Sequence, residues 1–315
     1  MLSSQDRDWF SSSNILLSTR PLYSKARSFH ALVTSGPYPV QLTPFQGFTV
    51  HGQPLDGLTS QLDLLFHPVP LDISTGGLST GGSVRGMKID SQLASLCGGN
   101  PRAPSSHFNH FSSSGSQFNS NNIGGAGGFP LLHDYTVRIV KRLRELGLRP
   151  FMAQVPVGSV RLRLATALDL VCVDETREGA LVNVQIKTGF ERRENYSRTQ
   201  RGAFFTGLGE PPIPDSHEMR HLLQVMAEHL IVQIAYDNPL AYSMLMVVSA
   251  NLITTRCIPD PTLNIRPADV MRALENRLRI DAPAPVEAEV KAVRARHAAR
   301  AIKKAIRMNR RRRRK

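Results

Sequence analysis

The most constraining feature of this 315-residue chain is a pair of apolar strands that carry polar and charged residues in their interiors. Residues 164–173 and 180–189 read as strands joined by the polar turn DETREG at 174–179. LVCV (170–173) and LVNV (181–184) are nearly continuous apolar runs of the kind found inside a sheet. Yet Asp169 interrupts the first strand, and Gln185 and Lys187 interrupt the second. An unpaired buried charge is costly, so these residues form either an ordinary ion pair or a site. Side chains alternate along a strand, which sets Gln185 and Lys187 on one face and Val184 and Ile186 on the other. A turn centred near Arg177 places Asp169 opposite Gln185, with Cβ atoms roughly 4.5–5.5 Å apart. A carboxylate, an amide oxygen and an ammonium then converge. A slip of one residue would part them.

The flanking elements suggest what holds this pair. His133 to Gly147 has Val137, Val140, Leu143 and Leu146 at helical spacing, with Gly147 as the stop. Residues 151–157 read as a strand. Ser216 opens a long helix over 217–236, with Met219, Leu222, Leu223, Met226, Leu230, Ile231 and Ile234 on its buried side. Residues 242–250 form an apolar strand suited to a sheet centre, and a helix starting near Pro267 reads as peripheral. The order is helix, three strands, helix, strand, an α/β arrangement with mixed pairing over residues 131–280.

On either side the composition changes. Residues 1–130 are rich in Ser, Gly, Pro and Asn, repeat STGG at 74–77 and 79–82, and become low-complexity over 98–129. Such sequence buries too little apolar area to offset its ordering entropy, so a long, largely disordered arm is expected, with one or two short strands in 45–73. The stretch between Asp8 and Asp56 lacks acids and contains Arg20, Lys25 and Arg27, as an organellar presequence would. Asp6 and Asp8 favour a plain arm instead. The net charge of +14 is concentrated: thirteen Lys or Arg residues and no acid lie between Lys291 and Lys315, which leaves the body nearly neutral. Residues 281–315 therefore form a separate basic tail, helical over 286–308 and ending in Arg310, Arg311, Arg312, Arg313, Arg314 and Lys315. A tail of this kind serves as a nuclear-localisation signal, a nucleic-acid arm or a membrane-surface helix. No run of 18 apolar residues is present. Cys97, Cys172 and Cys257 are far apart and odd in number, which suits a reducing intracellular compartment and supports no cysteine zinc site.

The arrangement from 133 to 250, with Asp169 on one strand, fifteen intervening residues and Gln185-Ile186-Lys187 on the next, resembles the PD-(D/E)xK nuclease superfamily. Gln185 departs from the Glu or Asp of most members. A similar Gln-x-Lys variant occurs in the endonuclease subunit of heteromeric bacterial transposases, and a glutamine carbonyl is still a hard oxygen ligand. The resemblance implies a restriction-endonuclease-like αβββαβ core and metal-assisted phosphodiester hydrolysis, with DNA as substrate and Mg²⁺ or Mn²⁺ as cofactor. It implies that Asp169 and Gln185 hold the metal and that Lys187 orients or helps deprotonate the attacking water. It also implies an acid from the first helix, for which Asp134 and Glu145 are the candidates. Some exonuclease members carry a Gln and a Tyr four apart on the following helix; Gln224 matches the first, and Glu228 stands in place of the second. Arg192, Arg193 and Tyr196, in the basic loop 191–201, are positioned to touch backbone phosphates or simply to be solvated.

Other readings compete. His217-Glu218-Met219-Arg220-His221 matches HExxH, in which two histidines share a helix face around Zn²⁺. Its place in a first turn, the cation Arg220 and the lack of a recognised third ligand argue for ordinary capping by Ser216 and Glu218. His107 and His110 lie in the Ser-rich stretch, where a solvated loop is the default, and STGGLSTGGS lacks the ending of a phosphate-binding loop. The rival of a different class is a non-enzymatic nucleic-acid-packaging protein, in which the α/β domain only positions the tail. The basic end points to the nucleus, and the acid-free N-terminal stretch to the mitochondrion.

Overall fold

The computed structural model describes residues 13–43, 47–66, 80–97, 132–188, 216–237 and 239–259. To these it adds Trp9, two-residue strands at 204–205 and 213–214, and single positions between 265 and 274. A short helix, Ser13–Leu16, and a 3-10 turn, Pro21–Tyr23, lead into α1 (Ser24–Ser35). Strands β1 (Val40–Thr43), β2 (Gly47–Val50) and β3 (Gln53–Gly57) form an antiparallel meander. Helices α2 (Leu58–Phe66) and α3 (Thr80–Leu96) follow. Next come α4 (Asp134–Glu145), β4 (Leu148–Ser159), β5 (Leu164–Asp174) and β6 (Ala180–Thr188). The described chain continues with α5 (His217–Tyr236), β7 (Leu240–Val248) and β8 (Ile253–Ile258).

Eight strands make one mixed sheet in the order β1-β2-β3-β5-β6-β7-β8, with β4 also on β5. The β3–β5 and β6–β7 pairs are parallel and the others antiparallel. Helix α5 supplies the crossover that a parallel β6–β7 pair requires. The expected order of helix, three strands, helix and strand after residue 133 is present. Gly147, at φ +68, ends α4 as expected. Among the described residues, no helix is long and apolar enough to cross a membrane.

Each face of the sheet is covered. On one, Ile89 and Leu93 of α3, Cys97 just after it, and Ile139, Val140 and Leu143 of α4 pack on Leu170, Cys172, Val182, Val184 and Ile186. On the other, α5 packs Leu222, Leu223 and Met226 with Leu58 and Leu62 of α2, Leu164 and Leu245. Helix α5 is buried nearly all round its middle, including Gln224, Glu228 and His229.

The expectation of a disordered arm over 1–130 is corrected for the described part of that stretch. Ala26, Phe29 and Val33 recur at helical spacing on α1 and are buried with Ile15 and Tyr23 against Val171, Val173, Val232 and Tyr236. Each large apolar side chain buried in this way contributes roughly 1.5–3 kcal/mol toward ordering the segment. The region near Pro267 is not peripheral either, since Ile265, Val270 and Leu274 are buried beside Leu222 and Met226. The low-complexity stretch 98–129, with His107 and His110, lies outside the described residues, as do Arg192, Arg193 and Tyr196. So does the tail 281–315 with Arg310–Lys315.

Candidate active site

The β5–β6 hairpin sets the geometry of the site. The Asp174 carboxylate accepts from Thr176 N at 3.0 Å and Thr176 Oγ1 at 2.6 Å, and from Tyr242 Oη at 2.7 Å on the neighbouring strand. Gly179 takes φ +74, and a Cβ there would lie 1.9 Å from the Leu22 carbonyl oxygen. This turn fixes the ladder from Asp174↔Ala180 to Leu170↔Val184, so Arg177 is its centre. Continuing that register by one step sets Asp169 across from Gln185, as expected, but the ladder stops at Leu170.

The reason for the stop lies on the same edge of β5. Strand β4 pairs along the whole opposite edge, from Leu148↔Asp174 to Ser159↔Leu164. Strand β3 takes Leu164 and Ala165 on the edge that β6 uses further along. Two strands therefore share one edge, and β5 and β6 fork between residues 165 and 170. Asp169 sits in the fork, and its Oδ2 accepts the Ile186 N–H at 2.8 Å, so a side chain does the work of a ladder carbonyl. Across β5, the β4 ladder skips Gln154 and Asp169 without changing register. Gln154 adopts φ +51, a conformation most L residues avoid, and its Nε2 reaches Asp169 Oδ1 at 3.4 Å. The break also changes which residues face α5: Leu168 and Val171 both lie in the cluster on that side, while Leu170 faces α3 and α4.

Acids converge on Asp169 from helices on both faces. Asp90, on α3, and Glu228, on α5, each lie within electrostatic reach of Asp169 and Lys187. Burial first, then the Asp169 carboxylate, push Asp90 up to about 8, with Lys187 pulling it back. Burial pushes Asp169 itself up, opposed by Lys187, the Ile186 amide and the Gln154 and Gln185 side chains. Glu228 is fully buried. Its Oε1 accepts from Gln224 Nε2 at 2.8 Å and Thr166 Oγ1 at 3.4 Å, and its Oε2 from Asn183 Nδ2 at 3.1 Å. Burial and Asp169 raise it to about 7. His221, on the first turns of α5, is held well below its usual value by burial and by Lys187, His217 and Arg220, so its imidazole is neutral at pH 7.

Asp169, Gln185 and Lys187 thus meet at the fork, whereas the two acids expected from the first helix lie elsewhere. Asp134 is exposed in the first turn of α4, and Glu145 pairs with Arg142 at 3.0 Å on its surface. On the side of the sheet that α3 and α4 cover, the helix acid within electrostatic reach of Asp169 is Asp90. Its sequence signal is the stripe Ile89, Leu93 and Cys97 at four-residue spacing, diluted by Gly81, Gly82 and Gly86 at the helix start. Gln224 is buried and holds Glu228 in place of pointing outward. In the HExxH segment, Ser216 Oγ caps Met219 N at 3.1 Å and Glu218 bridges Arg256 at 3.0 Å, in line with the capping reading.

The donor set fits a hard divalent cation. Gln185 is buried, and its Oε1 has no hydrogen-bond partner among the described residues, so an amide oxygen stands without a donor beside the Asp169 carboxylate, which Asp90 repels from α3. A cation there would relieve both. Among the described residues no three His, Cys, Asp or Glu side chains form a metal-holding group. Mg²⁺ is commonly bound by one or two protein carboxylates, with waters and substrate phosphate completing its shell. No family model matches the chain, and no curated protein does.

Proposed function

We propose that this chain is a divalent-metal-dependent nuclease that hydrolyses phosphodiester bonds in DNA at the fork between β5 and β6. The reading rests on one observation: Asp90, Asp169, Gln185 and Lys187 gather where two apolar strands part, leaving a buried amide oxygen without a donor. The resemblance to the PD-(D/E)xK nucleases, carried by Asp169, Gln185 and Lys187 and by the order of the elements around them, agrees with it. Asp90 and Asp169 would hold Mg²⁺ or Mn²⁺, with Gln185 Oε1 as a neutral third oxygen. A cation at such a site activates water and draws charge from a phosphoryl oxygen. Lys187 donates hydrogen bonds to the phosphate and offsets its charge. The Ile186 amide and Gln154 keep the Asp169 carboxylate oriented, and Glu228 anchors Asn183 and Thr166 beneath it. The basic tail, through Arg310–Lys315, adds strong and salt-sensitive affinity for any nucleic acid sequence.

The test is plasmid cleavage by the purified full-length chain. Nicking or degradation with Mg²⁺ or Mn²⁺ is expected, ending when EDTA is added. Asp169→Asn and Lys187→Ala should each abolish it while circular dichroism and DNA binding persist. Full activity in either variant removes the assigned centre. DNA binding without metal-dependent cleavage in the wild type favours the packaging role.

A further inference from the structure

The row of residues that carries Gln185 and Lys187 continues across the sheet. On the α5 face, Lys187 pairs with Val247 of β7, which pairs with Thr254 of β8. One step along, Gln185 pairs with Leu245, which pairs with Arg256. Strands lie about 4.8 Å apart, so Arg256 and Thr254 stand about 10 Å from the reaction row, on the same face. A nucleotide spans that distance from its phosphate to the far edge of its base. At this place the structure opens a cleft of about 470 Å³, lined by Glu218, Leu245, Val247, Thr254, Thr255 and Arg256. That volume is within the range of small-ligand sites.

We propose that this cleft is a nucleobase subsite that receives a guanine beside the scissile phosphodiester, with Glu218 and Arg256 reading its edge. The inference rests on the nuclease reading for the position of the phosphate. The chemistry of the lining selects a base over a second phosphate. Glu218 and Arg256 are paired at 3.0 Å, so the guanidinium charge is largely cancelled and a carboxylate would repel an anion. What the pair retains is directional: several N–H donors next to a carboxylate acceptor. Leu245 and Val247 give an aliphatic floor for the face of a ring, and the Thr254 hydroxyl sits at the end nearest Lys187. Guanine matches this set, because Arg donates to O6 and N7 while the adjoining edge offers N1–H and the N2 amino group to a carboxylate. Thymine and cytosine lack that combination. Adenine carries an amino group where the guanidinium needs an acceptor.

The test uses the full-length protein in EDTA, at a salt concentration that suppresses the contribution of the basic tail. The probe is a labelled single-stranded thymidine oligonucleotide with one central guanosine, compared with its all-thymidine and inosine counterparts. About tenfold tighter binding of the guanosine oligonucleotide over all-thymidine is expected, with inosine, which lacks the N2 amino group, in between. Glu218→Ala should erase the guanosine–inosine difference, and Arg256→Ala the preference over thymidine, with both folds intact by circular dichroism. Equal affinity for all three probes in the wild type overturns the subsite, as does a preference that survives both variants. Cleavage of the same probes in Mg²⁺ separates the two ideas. Cleavage without base preference removes the subsite alone, and base preference without cleavage removes the nuclease reading alone. Absence of any binding removes both.

Discussion

Glu228 gives the most quantitative handle on the site. Its carboxylate is fully buried, accepts three hydrogen bonds, and rises from 4.5 to about 7 through burial and the facing Asp169. At 1.36 kcal/mol per pH unit, that rise corresponds to about 3 kcal/mol between the protonated and ionised forms. The sign follows from linkage. The folded state binds this proton more tightly than the unfolded state, so stability falls as pH rises from about 4.5 to about 7 and is level outside that window. Glu228→Gln keeps the shape and removes the charge. Its amide N–H₂ would face Asn183, whose Oδ1 has no partner among the described residues, so turning over the Asn183 amide supplies an acceptor. The variant should therefore gain about 3 kcal/mol on the wild type between pH 4.5 and pH 8. Urea unfolding of metal-free protein across that range measures it, and taking the difference cancels Asp90, Asp169 and the histidines as far as they titrate alike. A gap between variant and wild type that stays constant with pH would show that Glu228 is as ionisable as a surface carboxylate, and the account of the buried cluster would fail.

Other perturbations address the remaining parts. Asp90→Asn should raise the Mg²⁺ concentration for half-maximal cleavage by at least roughly tenfold, while Asp134→Asn and Glu145→Gln leave it unchanged; a metal titration of the cleavage rate decides between the helices. Gly179→Ala forces a Cβ into the Leu22 carbonyl at a left-handed position and should cost at least about 1–3 kcal/mol, read as a lowered urea midpoint. An unchanged midpoint would deny the contact between the hairpin turn and the N-terminal segment. Removing 291–315 should weaken DNA binding and flatten its dependence on salt without stopping cleavage, as measured by anisotropy over a salt series.

Much of the domain after residue 133 is legible because its signals are local. Helix α5 has the expected span, 217–236, because Ser216 caps it and its apolar residues keep helical spacing. The hairpin register is legible for the same reason: DETREG is a compact turn, and its centre at Arg177 determines every pair up to Leu170. The first half of the chain is harder to read, because its helices are stabilised by partners distant in sequence. Phe29 is buried against Tyr236 and Val173, and Ile89 against Val140 and Ile186, contacts that no window of sequence contains. Asp90 is hidden with them. Its role depends on α3 lying over the fork, and the glycines at the start of that helix weaken its intrinsic propensity. In sequence, Glu228 stands only as a departure from the tyrosine of the exonuclease pattern. The residues that explain it, Thr166 and Asn183, sit on two different strands.

The fork itself follows from a competition for one strand edge. Had β6 continued its ladder past Leu170, Asp169 and Gln185 would be a cross-strand pair sealed between helices. Asp169 would then lose the Ile186 amide, one of the groups that favour its ionised form in the fork. Strand β3 prevents this by taking Leu164 and Ala165, and α2 follows at once to pack Leu58 and Leu62 against α5. The stretch of β5 between those contacts is left without a strand partner on that edge, and its polar side chains turn to other partners: the Thr166 hydroxyl donates to Glu228, and Asp169 accepts from the Ile186 amide. Residues 53–66, which composition alone assigns to an arm, thus act as the wedge that keeps the strands apart. The polar interruptions in two apolar strands are tolerated because a segment more than a hundred residues upstream holds open the space they occupy.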